Sequence, residues 1–213
     1  MRRTSGMELS LPPFTPAVIW LLAINVGMFF VIELFTIAKM SGPLYYLQYF
    51  QLIPALVMRG HIYELVTYSF LHGGGMHLFG NMLGLWMFGS ELERVWGEKR
   101  YLQFYFASVL AAALTQLVVT AFVPGGPTVG ASGGIFGLLL AFAMVFPNRI
   151  ILLFFVIPMR ARWLVLLYGV LELYQGVYVM NSGVAHFAHL GGMLGGYLTI
   201  RYWRGQIPFG RRR

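Results

Sequence analysis

The chain has 213 residues, of which 58% are hydrophobic and only 10% charged, with a formal net charge of +8. Soluble chains carry about 25% charged residues, so an ordinary soluble domain is excluded. The sequence contains no cysteine, which removes disulfides, thiolate metal ligands and a cysteine nucleophile.

Several apolar runs reach the ~20 residues that a helix needs to span a bilayer, so the expected class is an all-α, polytopic membrane protein. The first span is read over Ala17–Ala38, interrupted by Glu33. Arg2 and Arg3 precede it as they would in a signal peptide. The run is nevertheless long enough to span and has no convincing cleavage site, so an uncleaved first helix is expected. From Lys39 to Gly75 the chain carries prolines, tyrosines and charges and is too polar to span. The second span is expected over Met76–Leu92 and the third over Tyr101–Val123, with Pro124-Gly125-Gly126-Pro127 as the following turn. The fourth covers Ser132–Phe146, the fifth Trp163–Met180 and the sixth Ala185–Tyr202. Ile150–Ile157 is apolar but short, and reads either as an interfacial segment or as an extension of a neighbouring span.

If the amino terminus is cytoplasmic, all of the 15 lysines and arginines except Lys39 and Arg59 fall on the inner side. That bias orients helical membrane proteins. The basic residues at both ends then determine topology, and no nucleic-acid partner is expected. At the α-helical rise, Ser132 lies roughly 21 Å above Phe146, His77 roughly 21 Å above Glu91 and His189 roughly 18 Å above Arg201. Against an apolar thickness of ~30 Å, three descending helices carry Ser132, His77 and His189 into one layer, roughly a third of the way down from the outer face.

A polar side chain at that depth costs free energy unless it is partnered, and such residues often mark function. Ser132, between Gly130 and Gly133, suits a nucleophile, with His189 as the general base that activates its hydroxyl. The chain has no aspartate, and no glutamate is expected near His189, so a catalytic pair rather than a triad is expected. His77 and Asn81 are one helical turn apart on one face of the second span. With the backbone N–H of Ser132 they supply three candidate donors to the oxyanion of acyl transfer. The competing readings are a small residue easing helix packing for Ser132 and an interhelical hydrogen-bonded pair for His77 and Asn81. His61 and His72 fall in the outer loop region, where packing roles are expected, and His186 precedes His189 by one turn. Gly133 with Gly137, and Gly192 with Gly196, have the small-xxx-small spacing that lets helices approach closely. Gly130 is grouped with these packing glycines, and Gly80 with Gly84 repeats the spacing beside His77.

Three motifs in this order, Gly130-Ala131-Ser132-Gly133 preceded by His77-Leu78-Phe79-Gly80-Asn81 and followed by Ala188-His189-Leu190-Gly191-Gly192 with Gly196, resemble the rhomboid family of intramembrane serine proteases. Thr67–His72, Gly89–Glu93, Gly97 and Arg100 resemble the family's flanking motifs, so the likeness covers about Leu44–Arg204. The resemblance implies one rhomboid domain over residues 1–213, with a core over about 44–204, short basic cytoplasmic tails, and a six-transmembrane-helix bundle whose water-filled cavity opens outward. It implies Ser132 as nucleophile, His189 as base, and His77, Asn81 and the Ser132 amide as oxyanion donors. Transmembrane segments of other proteins would be the substrates, with no cofactor and no metal, and an oligomeric state that the sequence leaves open. The charge pattern fits a multi-pass protein of a prokaryotic plasma membrane. Two departures stand out. Tyr63-Glu64 replaces the Trp-Arg that many members carry in the outer loop, which bears on how that loop is anchored. Phe136 stands where some members have tyrosine, so a ring is available to pack against His189 but not to donate a hydrogen bond. Glu172 in the fifth span, a mobile gate in this family, is expected to bear on stability or gating rather than on the chemical step.

Two other classes compete with hydrolysis. A catalytically silent relative that binds membrane segments would be expected to lose one of the motifs, and all are intact. A transporter or metal-binding protein using His72, His77, His186 and His189 would leave the Gly-Ser-Gly run unexplained.

Overall fold

The computed structural model describes residues 11–123, 125–153, 156–179 and 185–206. Arg2, Arg3 and Arg211–Arg213 of the basic tails, Pro124 of the expected turn and Met180 at the expected end of the fifth span lie outside the described residues. The fold is mostly helical. Helix α1 (Pro16–Ile37) begins with proline at its first position, where a missing N–H costs nothing. Short helices α2 (Ser41–Leu47), α3 (Pro54–Val57) and α4 (Glu64–Thr67) make up much of the polar segment that follows. Next, α5 (Gly75–Gly84) runs through a π-helical turn, Leu85–Gly89, into α6 (Ser90–Trp96). The remaining long helices are α7 (Glu98–Thr120), α8 (Ser132–Val145), α9 (Ala161–Tyr178) and α10 (His186–Trp203).

Each of the apolar runs read as a span coincides with helix to within a few residues. Among the described residues, two helices, α1 and α7, are long and apolar enough by themselves to cross a membrane. The short apolar segment does not extend a neighbouring helix. Strand β1 (Ile150–Leu153) pairs antiparallel with β2 (Ile157–Arg160), with Ile150 opposite Arg160 and Leu153 opposite Ile157. Branched and aliphatic residues over so short a run favour strand over helix, and Pro158 in β2 sits where a two-stranded ribbon tolerates it.

Large apolar side chains point outward on several helices: Trp20, Phe30 and Leu34 on α1, Leu114 and Val118 on α7, Leu166, Val170 and Leu173 on α9, Leu194 and Leu198 on α10. Apolar surface in water costs about 25 cal/mol per Å², whereas in lipid this cost disappears. The buried interior, by contrast, holds polar groups such as Asn25, Glu93 and Ser108. An apolar exterior around a partly polar interior is the arrangement of an integral membrane protein.

Glu93 shows how the interior is assembled. Its carboxylate accepts hydrogen bonds from Ala17 N–H (2.9 Å), Val18 N–H (3.0 Å) and the Thr15 hydroxyl (2.5 Å). These are the orphan donors of the α1 amino terminus, and an anion there is favoured by the helix dipole as well. A residue of the Gly89–Glu93 motif thus fastens α1 to the bundle.

Candidate active site

Helices α7, α8 and α10 approach one another most closely, and glycine makes this possible. A Cβ on Gly192 would run into the backbone carbonyl of Gly133, and one on Gly196 would lie 2.7 Å from the Phe104 ring and 3.2 Å from Gly137 Cα. A Cβ on Gly133 would meet Ala112 Cβ at 2.5 Å, and one on Gly137 would collide with the Ser108 side chain. Gly133, Gly137, Gly192 and Gly196 therefore act as packing glycines. Gly130 does not. It precedes α8 with φ +123°, a conformation that disfavours any side chain, and a Cβ there would sit 2.7 Å from His77 Nε2. Its part is to leave room for the His77 imidazole beside Ser132. Gly80 faces open space, so only Gly84, whose Cβ would lie 2.9 Å from Ile135 Cγ2, makes a close approach in that pair.

The close α8–α10 contact brings Ser132 and His189 together across 57 residues of chain, with Ser132 Oγ 2.7 Å from His189 Nε2. Ser132 is the first residue of α8, so its N–H has no acceptor within the helix and points out of the positive end of the dipole. The turn before it is held from two sides. Leu52 and Thr128 exchange backbone hydrogen bonds of 3.0 Å, and Gly130 N–H donates to Tyr68 O at 3.0 Å. The Phe136 ring stacks on the His189 imidazole, with centroids 4.3 Å apart and planes 8° from parallel. That ring fixes the tilt of the imidazole without competing for its hydrogen bonds.

His77, on α5, lies against the loop that ends at Ser132. Gly73 N–H makes a long 3.4 Å hydrogen bond to its Nδ1, which leaves Nε2 as the protonated nitrogen. Asn81 is buried one turn below, but its Nδ2 donates to the His77 carbonyl at 2.7 Å, within its own helix. One Nδ2 hydrogen is therefore held by the backbone, a second remains to donate, and Oδ1 has no partner among the described residues. His72 is buried with its ring edge-on to His77, centroids 5.1 Å apart. Burial, reinforced by His77, pulls its pKa from the ordinary 6.5 to about 4. A cleft of about 230 Å³, lined in part by Gln48, Gln51, His72 and Gly73, adjoins His72 rather than the Ser132–His189 contact.

One expectation is overturned: a glutamate does stand beside His189. Glu172, buried on α9, places Oε2 3.0 Å from His189 Nδ1 and 2.7 Å from His186 Nδ1. A residue 17 positions earlier on a different helix gives no local pattern that reveals this, since only the packing of α9 on α10 brings the two together. His186 is brought in with it, one turn before His189. The ligand atoms of Glu172, His186 and His189 lie within 4.8 Å of one another, the one such group among the described residues that could hold a metal ion.

The outer loop is anchored differently from the Trp-Arg pattern. Glu64 is fully buried, accepts Ile53 N–H at 2.8 Å and faces His61 Nδ1 at 3.3 Å, while the Tyr63 hydroxyl lies 3.2 Å from the same His61 nitrogen. Tyr63-Glu64 thus ties the loop through a carboxylate where a guanidinium would otherwise serve.

Comparison with known proteins agrees with this architecture. Residues 59–205 match the Rhomboid domain family. Rhomboid protein 1, mitochondrial, of Saccharomyces cerevisiae is 34% identical over 139 residues, covering 63% of this chain and 40% of the relative. Rhomboid protease GluP of Bacillus subtilis is 32% identical over 146 residues, 68% and 27% respectively. RHOMBOID-like protein 12, mitochondrial, of Arabidopsis thaliana is 30% identical over 151 residues, 62% and 44%. The chain spans less than half the length of each of these three. Their names point to mitochondria as well as to a bacterium, so the prokaryotic plasma membrane expected from the charge pattern draws no support from them. With two thirds of its length in the domain match and its helices packed around a serine and a histidine, the chain belongs to the rhomboid family.

Proposed function

We propose that this chain is an intramembrane serine endopeptidase that hydrolyses peptide bonds in or near transmembrane segments of other proteins. The 2.7 Å Ser132 Oγ–His189 Nε2 contact carries the reading. Ser132 Oγ attacks the scissile carbonyl carbon while its proton passes to His189 Nε2. The carbonyl oxygen becomes an oxyanion beside the Ser132 N–H and His77 Nε2–H. Asn81 can join them through the second hydrogen of its Nδ2, the first being held by the His77 carbonyl. A single donor of this kind is often worth ~10²–10³ in rate. Collapse of the tetrahedral intermediate breaks the C–N bond, and the leaving amine takes the proton from His189. Water, deprotonated by His189, then cleaves the acyl-serine ester and restores the free hydroxyl.

The depth of the site supports hydrolysis inside the membrane. With 14 residues, α8 is about 21 Å long against an apolar layer of ~30 Å. Grounded at the inner face, it leaves Ser132 below the outer surface with room for water above. We take α1, α5–α6, α7, α8, α9 and α10 as six membrane-crossing elements with both termini on the inner side, in accord with the lysine and arginine distribution.

The test is labelling of the purified, detergent-solubilised chain by a fluorescent fluorophosphonate, alongside cleavage of a membrane-segment substrate. Wild type is expected to label and cleave, while Ser132→Ala and His189→Ala do neither. Folded wild type that fails at both would favour the silent, segment-binding relative.

A further inference from the structure

We infer that Glu172 is the third member of the catalytic array, a positioning residue that holds His189 in the tautomer and orientation required to accept the Ser132 proton. The inference rests on the proteolytic reading above and goes beyond a serine–histidine pair.

For Nε2 to accept a hydrogen bond from Ser132 Oγ, the imidazole proton must reside on Nδ1. That nitrogen is buried, and Glu172 Oε2 lies 3.0 Å from it. The approach is too oblique for an aligned hydrogen bond, the loose geometry common in catalytic sites before substrate binds. When Nε2 takes the serine proton the ring becomes cationic, and the carboxylate then faces a full positive charge across the same contact.

His186 completes the arrangement. Its Nδ1 lies 2.7 Å from the same Oε2, so one carboxylate oxygen is shared by two imidazoles one turn apart on α10. A carboxylate buried in a membrane protein must be protonated, paired or hydrated, and two ring N–H donors pair it. His186 thereby holds the Glu172 side chain toward His189 and away from lipid. The other ionisable groups nearby are His77 on α5, which faces His189, and Tyr168, one turn before Glu172 on α9.

A merely structural glutamate and a positioning one make different predictions for rescue by charge. Glu172→Gln keeps the shape and can still accept from His186, but it removes the negative charge. The substituted chain is expected to fold and to label with fluorophosphonate about 10²-fold more slowly. Glu172→Asp, with the charge kept on a shorter side chain, is expected to recover part of the rate. A wild-type rate in folded Glu172→Gln would overturn the inference.

If the Gln variant does not fold, the wild type is read directly by NMR with ¹⁵N-histidine. An Nδ1-protonated His189 with a strongly deshielded proton is expected, and an ordinary Nδ1 proton or an Nε2-protonated ring overturns the assignment. Ser132→Ala in the same series separates the two claims. Ser132-dependent labelling unaffected by Glu172→Gln removes only the third member, whereas absent Ser132-dependent labelling removes the proteolytic reading itself. A chelator control is read alongside. Activity unchanged in EDTA is expected, and loss restored by a divalent ion would make the cluster a metal centre and overturn the positioning role.

Discussion

His72 has no hydrogen-bond partner for either ring nitrogen among the described residues and is buried against His77. Its pKa near 4 means that it stays neutral in the fold through mildly acidic pH, while in the unfolded chain it gains a proton near 6.5. Between those values the unfolded state binds more protons, so stability falls as pH drops from about 6.5 toward 4. The contribution present at pH 7 is partly lost at pH 5, by on the order of 1–2 kcal/mol. Thermal melts in detergent at pH 7 and pH 5 are expected to show a larger drop for wild type than for His72→Gln. Equal drops would show that the imidazole is solvated in the fold. At this same scale, the Ser132–His189 pairing was legible in the sequence because the two residues fall at one depth of descending apolar helices, and the packing of Phe136 on His189 was legible through the family resemblance. Glu172 and Glu64 were not, since their roles depend on which neighbouring element they face. The conformational freedom that Gly130 supplies is not legible beside the packing glycines, because φ is not written in a run of small residues.

The elements owe their positions to side chains that are absent as much as to those present. A Cβ on Gly192 meets a backbone carbonyl of α8, and a backbone cannot rotate away as a side-chain tip can. Gly192→Ala must therefore push α10 from α8, lengthening the 2.7 Å contact on which the proposed proton transfer depends. Overpacking of this kind costs about 1–3 kcal/mol, and fluorophosphonate labelling is expected to fall by at least ~10²-fold, since small misplacements of reacting groups cost about that much. Gly80→Ala, with open space around the new methyl, is the matched control. It is expected to retain labelling and to gain up to about 1 kcal/mol from helix propensity. If both variants behaved alike, the glycine contacts would not set the α8–α10 distance. Helix limits were readable from apolar run lengths, because a 3.6-residue repeat in lipid needs little more than apolarity and length. The β1–β2 ribbon and the π-helical turn were not, since an eight-residue apolar run fits either kind of structure and one extra residue in a helical turn leaves no compositional trace.

For the whole molecule, the arrangement of the helices across the bilayer decides what the site can reach. Six crossings with both ends inside would put the loop before α8, and hence Ser132, on the outer side. An odd number of crossings between Ser132 and His189 would move one of their helices out of register with the other. The absence of cysteine from the sequence makes this directly measurable, since any introduced thiol is the only one. Met58, Gly126, Glu98, Asn148 and Gln206 are all exposed; the first four lie in or beside the connections between the long helices, and Gln206 lies just after α10. With a membrane-impermeant maleimide on intact cells, Met58→Cys and Gly126→Cys are expected to label. Glu98→Cys, Asn148→Cys and Gln206→Cys should label only after the membrane is opened. The lysine and arginine bias predicts this pattern without reference to catalysis, and the descent of α8 and α10 from a shared outer face predicts it without reference to charge. Labelling of Asn148→Cys from outside would break both arguments, because α8 would then present Ser132 to the inner compartment and the basic connections would lie on the wrong side of the membrane.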